Sequence, residues 1–161
     1  MNEAPILSLL TWLPALGALA ILILKAAARS DDAGAIDRNA KWIALVVTLA
    51  VFALSLVMMA GFDPANPGFQ FVEKTPWFMG LSYHLGVDGI SVLFIVLTAF
   101  LMPLCIIAGW HAIENRVSEY LAAFLLLETM MIGVFAALDM VMFYIFFEAG
   151  LIPMFLIIGV W

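Results

Sequence analysis

Two carboxylates, Glu128 and Glu148, interrupt long apolar stretches near the end of the chain. Each lies about eight residues, or about 12 Å, from the nearer end of its expected helix, which places both near the middle of a bilayer. An ionised side chain at that depth costs roughly 2.5–3.5 kcal/mol on insertion scales, so it usually serves a function. Loss of water favours a neutral carboxyl group, whereas a nearby cation favours the ionised form. A group balanced between these effects can take up and release a proton, so both glutamates are candidate proton-relay residues.

The segment around Glu148 has a second feature that could take part in this chemistry. Pro153 has no backbone N–H to donate, and its ring clashes with the carbonyl group of Ala149, which follows Glu148. Gly150 adds local freedom, and the freed carbonyl could hold a water molecule or a partner side chain. Tyr144 precedes Glu148 by one helical turn and could add a hydroxyl group on the same face.

Each of these residues also has a purely structural explanation. Either glutamate could form a hydrogen bond that joins two helices and do nothing else. Pro14 and Pro103 also lie inside expected spans, where a kink that helps packing explains them. His84 and His111 fall in loop or interface regions and are expected to be surface groups.

The sequence contains no motif for a metal ion or a redox cofactor. Cys105 is the single cysteine and lies in an expected span, so neither a disulfide nor a thiolate cluster can form within the chain. Glycine-rich phosphate loops, haem motifs and metal-ligand spacings are all missing from the sequence. We expect no cofactor-binding residues and no metal-binding residues in this chain.

Composition identifies the kind of protein that carries these residues. Hydrophobic residues make up 66% and charged residues 11%, against about 45–50% and about 25% in soluble globular domains. The chain is therefore expected to be an integral membrane protein whose surroundings are the lipid bilayer. The formal net charge is −6 and only six residues are basic, which argues against nucleic acid as a partner.

Five apolar segments are long enough to cross about 30 Å of hydrocarbon as helices. Backbone groups without hydrogen bonds are not tolerated in lipid, so these segments predict an all-α membrane protein. A barrel would instead need short alternating strands. The expected domain covers residues 1–161, with an external loop over residues 61–88 and spans at about residues 4–24, 42–60, 89–110, 121–138 and 140–161.

The ends of the spans carry capping chemistry. Asp88 and Asp139 are expected to cap the third and fifth helices. Asp139 is almost the only connector between the fourth and fifth spans, so those helices should form a tight antiparallel hairpin with the two glutamates on neighbouring helices. In the external loop, residues 69–73 alternate apolar and polar side chains and predict a short strand or hairpin.

The distribution of basic residues predicts the orientation. Five of the six basic residues fall in the two loops after spans one and three, and the positive-inside rule places those loops in the cytoplasm and the N-terminus outside. Interfacial aromatic residues are expected at the same inner boundary. The basic residues are Lys25, Arg29, Arg38, Lys41 and Arg116, with Lys74 on the opposite side, and the aromatic residues are Trp42, Trp110, Tyr120 and Trp161.

Two strings in the sequence resemble a known family. They are HLGVDGIS at residues 84–91, leading into the third span, and FFEAGLIPM at residues 146–154, in the centre of the fifth. Together they closely resemble subunit M of respiratory complex I, the proton-translocating NADH:quinone oxidoreductase, whose mitochondrial form is chain 4. The likeness covers the whole chain, and the string around Glu148 is specific to the antiporter-like subunits.

The resemblance implies a role for Glu148. It matches the family's fifth-helix glutamate, which belongs to a proton channel and pairs with a lysine on a later helix. Glu128 is not carried over from the family motif and depends only on the argument from burial and depth. Family members have about fourteen helices, two of them broken. The chain would therefore be the N-terminal part of that bundle, and alone it should not pump.

The resemblance also implies the surroundings of the chain. NADH, FMN, iron–sulfur clusters and quinone would bind in partner subunits, and other membrane-arm subunits, especially neighbouring antiporter-like ones, would be partners. The location would be the bacterial cytoplasmic (inner) membrane, or alternatively the mitochondrial inner membrane. Two other functions stay open, namely a subunit of a multisubunit sodium/proton antiporter and a non-conducting structural subunit of the membrane arm.

Overall fold

The computed structural model describes residues 5–27, 33–77 and 81–161. The described chain forms five helices, with a two-stranded sheet between the second and the third. All five helices are long and apolar enough to cross a membrane, which confirms the expected all-α fold with five such helices. The helices are α1 (Ile6–Ala27), α2 (Ala33–Ala60), α3 (Gly89–Ala108), α4 (Val117–Ala136) and α5 (Met140–Val160), and the strands are β1 (Gln70–Pro76) and β2 (Ser82–Val87).

Two helices begin well before the expected spans. Helix α2 begins nine residues before the expected residue 42, and α4 begins four residues before residue 121. A hydropathy pattern marks the part of a helix that lies in hydrocarbon, whereas the helix itself continues into the polar interface. Ala4, where the first span was expected to begin, and the basic residue Arg29 lie outside the described residues. The placement of the N-terminus outside stays a prediction.

Both predicted caps are confirmed. The Asp88 carboxylate accepts hydrogen bonds from the backbone N–H groups of Ile90 (3.1 Å) and Ser91 (2.7 Å). The Asp139 carboxylate accepts from those of Val141 (2.9 Å) and Met142 (3.3 Å). Only three residues separate α4 from α5, so these two helices pack as the expected hairpin.

Helix α4 lies at the centre of the bundle and contacts α1, α2, α3 and α5. Two buried apolar clusters surround it at different heights. The first, which we call the hairpin-end cluster, includes Leu10, Val51, Leu85, Ile95, Ile132 and Phe146. The second, the basic-end cluster, includes Ala18, Ala44, Ile106, Leu121 and Leu125.

The two strands form an antiparallel hairpin that includes residues 70–73 of the strand predicted at residues 69–73. This hairpin caps the N-terminus of α1, because the Glu73 carboxylate accepts hydrogen bonds from the backbone N–H groups of Leu7 (2.8 Å) and Ser8 (3.2 Å). It also holds the connection between α4 and α5, where the backbone N–H of Leu138 donates to the carbonyl group of His84 (2.9 Å). The hairpin thereby joins distant parts of the bundle at one end.

Basic and aromatic side chains meet at the other end of the bundle. The rings of Trp42 and Trp110 pack edge to face at 5.6 Å, and those of Tyr120 and Trp161 also lie 5.6 Å apart. The expected aromatic boundary is therefore assembled at this end. Three basic residues lie beside it: Lys25 pairs with Glu119, Lys41 donates to the Trp110 carbonyl group, and Arg116 also pairs with Glu119. Which side of the membrane this end faces stays a prediction.

Candidate functional site

Glu128 lies in the middle of α4 and is completely buried, with 0% of its surface exposed. Within the described residues, neither carboxyl oxygen has a hydrogen-bond partner, and the hydroxyl group of the next residue, Thr129, also has none. Each of these three polar oxygens therefore lies in the interior without a described partner. An unsatisfied buried polar group costs about 1–3 kcal/mol, so this arrangement calls for an explanation.

The position of Glu128 is the boundary between the two apolar clusters. Leu125, one turn earlier on α4, belongs to the basic-end cluster, and Ile132, one turn later, belongs to the hairpin-end cluster. On α2, the buried Thr48 occupies the same boundary between Ala44 and Val51. The core is thus divided by a layer that contains buried polar side chains.

The contact between α4 and α5 shows which way Glu128 faces. A Cβ atom on Gly133 would collide with the Phe146 ring, and one on Gly150 would lie 3.3 Å from the Met130 Cβ atom. Met130 and Gly133 therefore mark the side of α4 that meets α5. Glu128 precedes Met130 by two residues, a rotation of about 200° at 3.6 residues per turn, and so lies on the opposite side of the helix.

Glu148 is in a different environment. It is exposed on α5 and lines an open groove with Ala149, Leu151, Ile152 and Phe155. It lies two residues after Phe146 and two before Gly150, so the same helical rotation directs it away from α4. The structure places the two glutamates on neighbouring helices, as expected, but on opposite sides of the interface between them.

The segment around Glu148 remains helical throughout. Helix α5 continues across Pro153, which is buried, while Tyr144 is exposed one turn before Glu148 on the same side. Pro14 and Pro103 are likewise buried inside continuous helices, as their expected role in packing requires. Proline supplies no N–H, so the carbonyl of Ala149 keeps its capacity to accept a hydrogen bond beside Glu148.

The charges near the two glutamates are few. In residues 5–27, 33–77 and 81–161, the basic side chains belong to Lys25, Arg38, Lys41, Lys74 and Arg116, which lie at helix ends, in a loop or on the hairpin. No described group of three or more His, Cys, Asp or Glu side chains is arranged to hold a metal ion. The described bundle therefore presents two carboxyl groups at mid-height and no cation at that level.

Two residues with unusual positions in the structure, Thr129 and Glu73, were not predicted from the sequence. Thr129 had no distinctive signal, because a threonine in an apolar helix usually bonds to its own backbone. Glu73 acts as a helix cap from 66 residues away along the chain, whereas capping patterns are recognised only between near neighbours.

Comparisons with known proteins agree with this architecture. Residues 35–137 match the family model described as NADH-ubiquinone oxidoreductase chain 4, amino terminus. NADH-quinone oxidoreductase subunit M of Rhodobacter capsulatus is 62% identical over 97% of this chain and 30% of its own length. The subunit M of Rickettsia conorii is 40% identical over 100% of this chain and 32% of its own length.

A mitochondrial-type relative matches a shorter stretch. NADH-ubiquinone oxidoreductase chain 4 of Arabidopsis thaliana is 47% identical over 77% of this chain and 26% of its own length. The chain spans about a third of the length of the curated relatives that it matches.

Proposed function

The chain belongs to the family of NADH-quinone oxidoreductase subunit M and NADH-ubiquinone oxidoreductase chain 4, and from this premise we propose that it forms part of a proton channel. The proposed channel lies in the membrane arm of respiratory complex I. Quinone reduction in partner subunits would drive it at a distance, so the chain acts as a translocase subunit. Its location would be the bacterial cytoplasmic membrane.

The exposed position of Glu148 is the observation that carries this proposal. A carboxyl group at mid-height on α5 faces an open groove rather than the bundle that the chain itself forms. Such a group is costly in lipid, so a further protein element must cover it. The family resemblance suggests a later helix that carries a lysine as that element.

The proposed chemistry is a change in the charge around one carboxyl group. When the cation approaches, the ionised form of Glu148 is favoured and its proton leaves. When the cation withdraws, the low-dielectric surroundings favour the neutral form, and Glu148 takes up a proton. The carbonyl group of Ala149 and the hydroxyl group of Tyr144 lie within about one turn and could position a water molecule for that transfer.

Redox chemistry belongs elsewhere in the proposed complex. The family resemblance assigns NADH, FMN, iron–sulfur clusters and quinone to partner subunits, and the sequence contains no haem motif or phosphate loop. Neighbouring antiporter-like subunits are the expected contacts of this chain.

The test is the substitution Glu148→Gln in the intact complex, with proton pumping measured alongside NADH oxidation. Glutamine keeps the shape of the side chain but holds no transferable proton. We expect NADH-driven pumping through this subunit to be lost, with an overall fall of about tenfold in coupled activity.

A matched control is Glu114→Gln, which changes an exposed loop carboxylate and should leave pumping unchanged. Full pumping and full turnover in Glu148→Gln, in a complex that assembles normally, would contradict the proposal and favour a structural subunit.

A further inference from the structure

An open groove lies between α1, α4 and α5 toward the basic end of the bundle. Its volume is about 280 Å³. Helix α1 contributes one side chain to its walls, and α4 and the second half of α5 contribute the others. The apolar wall residues include Leu22, Ala123, Leu126, Pro153 and Leu156. Since all three helices are long and apolar enough to cross a membrane, these walls are suited to contact a lipid acyl chain.

Charged side chains lie at one end of this groove. Arg116 and Glu119 line it, and Lys25 follows the wall residue Leu22 by about one helical turn. Lys25 and Arg116 both pair with the Glu119 carboxylate. Two cations therefore share one carboxylate, which leaves an excess of one positive charge.

The tryptophan that follows α5 helps to form the charged end of the groove. The indole N–H of Trp161 donates to the carbonyl group of Asn115 (2.7 Å), and the Arg116 guanidinium group lies 5.9 Å from the centre of the Trp161 ring. Tryptophan is favoured at the level of lipid headgroups. The charged end of the groove is therefore expected at that level, with the apolar walls extending from it into the hydrocarbon.

The other charges described at this end of the bundle do not line the groove. Asp37, Lys41 and Glu114 line a separate pocket beside Trp110. Among the described residues that line the groove, Glu119 alone carries a carboxylate. The excess positive charge thus favours an anion as the further partner, and the arginine guanidinium group matches the geometry of a phosphate.

We propose that this groove is a binding site for an anionic phospholipid. One acyl chain lies along the apolar walls, and the headgroup phosphate lies beside Arg116 and Lys25. Basic pockets between transmembrane helices bind lipid headgroups in this way. A later helix of a longer chain could also cover the apolar walls, but it would leave the excess cation without an anion. The site does not depend on the proposed pumping function.

Photochemical labelling of the full-length protein in the purified complex tests this inference. The complex is placed in phosphatidylcholine vesicles that contain a trace of phospholipid with a diazirine in its acyl chain. The headgroup of the trace lipid is either phosphatidylglycerol or phosphatidylcholine, and mass spectrometry measures the label on α4 and α5. We expect phosphatidylglycerol to label the wall residues about fivefold more than phosphatidylcholine, as one excess basic group near a membrane surface predicts.

Two charge variants should change this preference in opposite directions. Lys25→Gln leaves Arg116 and Glu119 as a neutral pair, so the preference for phosphatidylglycerol should disappear. Glu119→Gln leaves two cations without a carboxylate, so the preference should increase. Lys74→Gln is the matched control, because Lys74 lies on the hairpin and its loss should change nothing. A mere loss of stability would not act with opposite signs.

A further variant blocks the groove without changing its charge. Leu22→Trp adds volume at a wall position that is already 41% exposed, and it should reduce labelling by both lipids. Leu19→Trp is the matched control on the same helix, because Leu19 is 53% exposed and does not line the groove.

Three results would overturn the inference. They are equal labelling of wild type by the two lipids, no label on the walls of the groove, and a reduced preference in Glu119→Gln like that in Lys25→Gln. Absence of label would show that another part of the full-length protein or a neighbouring subunit covers the groove. The comparison of the two lipids on wild type needs no variant, so it decides the question even where a substitution prevents assembly.

Discussion

At the scale of single residues, Glu128 and Glu148 need partners of different size. Glu128 is enclosed by its own bundle and needs only a small partner, whereas Glu148 is exposed and needs a large one. A buried charge must be paired or neutralised, so Glu128 is expected to stay neutral, whereas the proton relay at Glu148 stays a proposal. Two carboxyl groups at similar depth on neighbouring helices therefore belong to separate sites.

Asp88 is the residue whose response to pH can be derived from its contacts. The hydrogen bond from the Ser91 backbone N–H is the largest effect on Asp88, and it lowers the pKa of Asp88 from its ordinary value of 3.8. Hydrogen bonds from the Ser91 hydroxyl group and the Ile90 N–H lower this pKa further, whereas desolvation by burial raises it. The folded state thus binds this proton less readily than the unfolded state. The cap contributes stability above that ordinary value, and the contribution is lost as the pH falls through the lower folded value.

The check is thermal unfolding of the purified protein in detergent at neutral pH and under acid. Asp88→Asn keeps an accepting oxygen without a titrating group, so it should lose less stability than wild type on acidification. Asp88→Ala should cost about 1 kcal/mol at neutral pH. Equal acid sensitivity of wild type and Asp88→Asn would show that other groups control the response.

At the scale of elements, sequence patterns predicted which segments form helices better than how the helices face one another. The spans and the two aspartate caps follow from local chemistry, namely apolar length and an acceptor before a free helix end. The buried faces of the helices do not follow from local chemistry. Lipid is as apolar as a packed interior, so the hydropathy pattern carries little information about which side of a helix is buried. For that reason the opposite orientations of Glu128 and Glu148 could not be read from their spacing.

The α4–α5 interface depends on a glycine at position 133. Because glycine has no side chain, the ring of Phe146 packs closely against it, and a Cβ atom at position 133 would collide with ring atoms that include Cγ. Gly133→Ala should therefore force this buried phenylalanine to move. We expect a loss of about 1–3 kcal/mol in unfolding free energy. Gly159→Ala is the matched control on α5, because nothing lies within 4 Å of its added carbon, and alanine favours a helix.

Thermal unfolding of the two variants in detergent measures the difference. The double change Gly133→Ala with Phe146→Leu should recover part of the loss, since a smaller side chain removes the collision. A Gly133→Ala protein as stable as Gly159→Ala would mean that the two helices do not approach as closely as the structure shows.

At the scale of the whole molecule, the bundle has two chemically different ends. The hairpin closes one end through Glu73 and the backbone of His84, and the other end carries basic and aromatic side chains. Local sequence rules predicted the basic end, since the positive-inside rule counts residues in loops. They could not predict the docking of the hairpin, which depends on contacts between residues more than 50 positions apart.

The orientation of these ends is open to a labelling experiment on the full-length protein in cells. In a Cys105→Ala background, Asn66→Cys places an exposed thiol in the loop near the hairpin, and Asn115→Cys places one between α3 and α4 at the basic end. Because basic loops are retained on the cytoplasmic side, a membrane-impermeant maleimide should label the Asn66→Cys protein in intact cells. It should label the Asn115→Cys protein only in inside-out vesicles. The reverse pattern would place the basic end outside, and with it the entry and exit sides of the proposed channel would exchange.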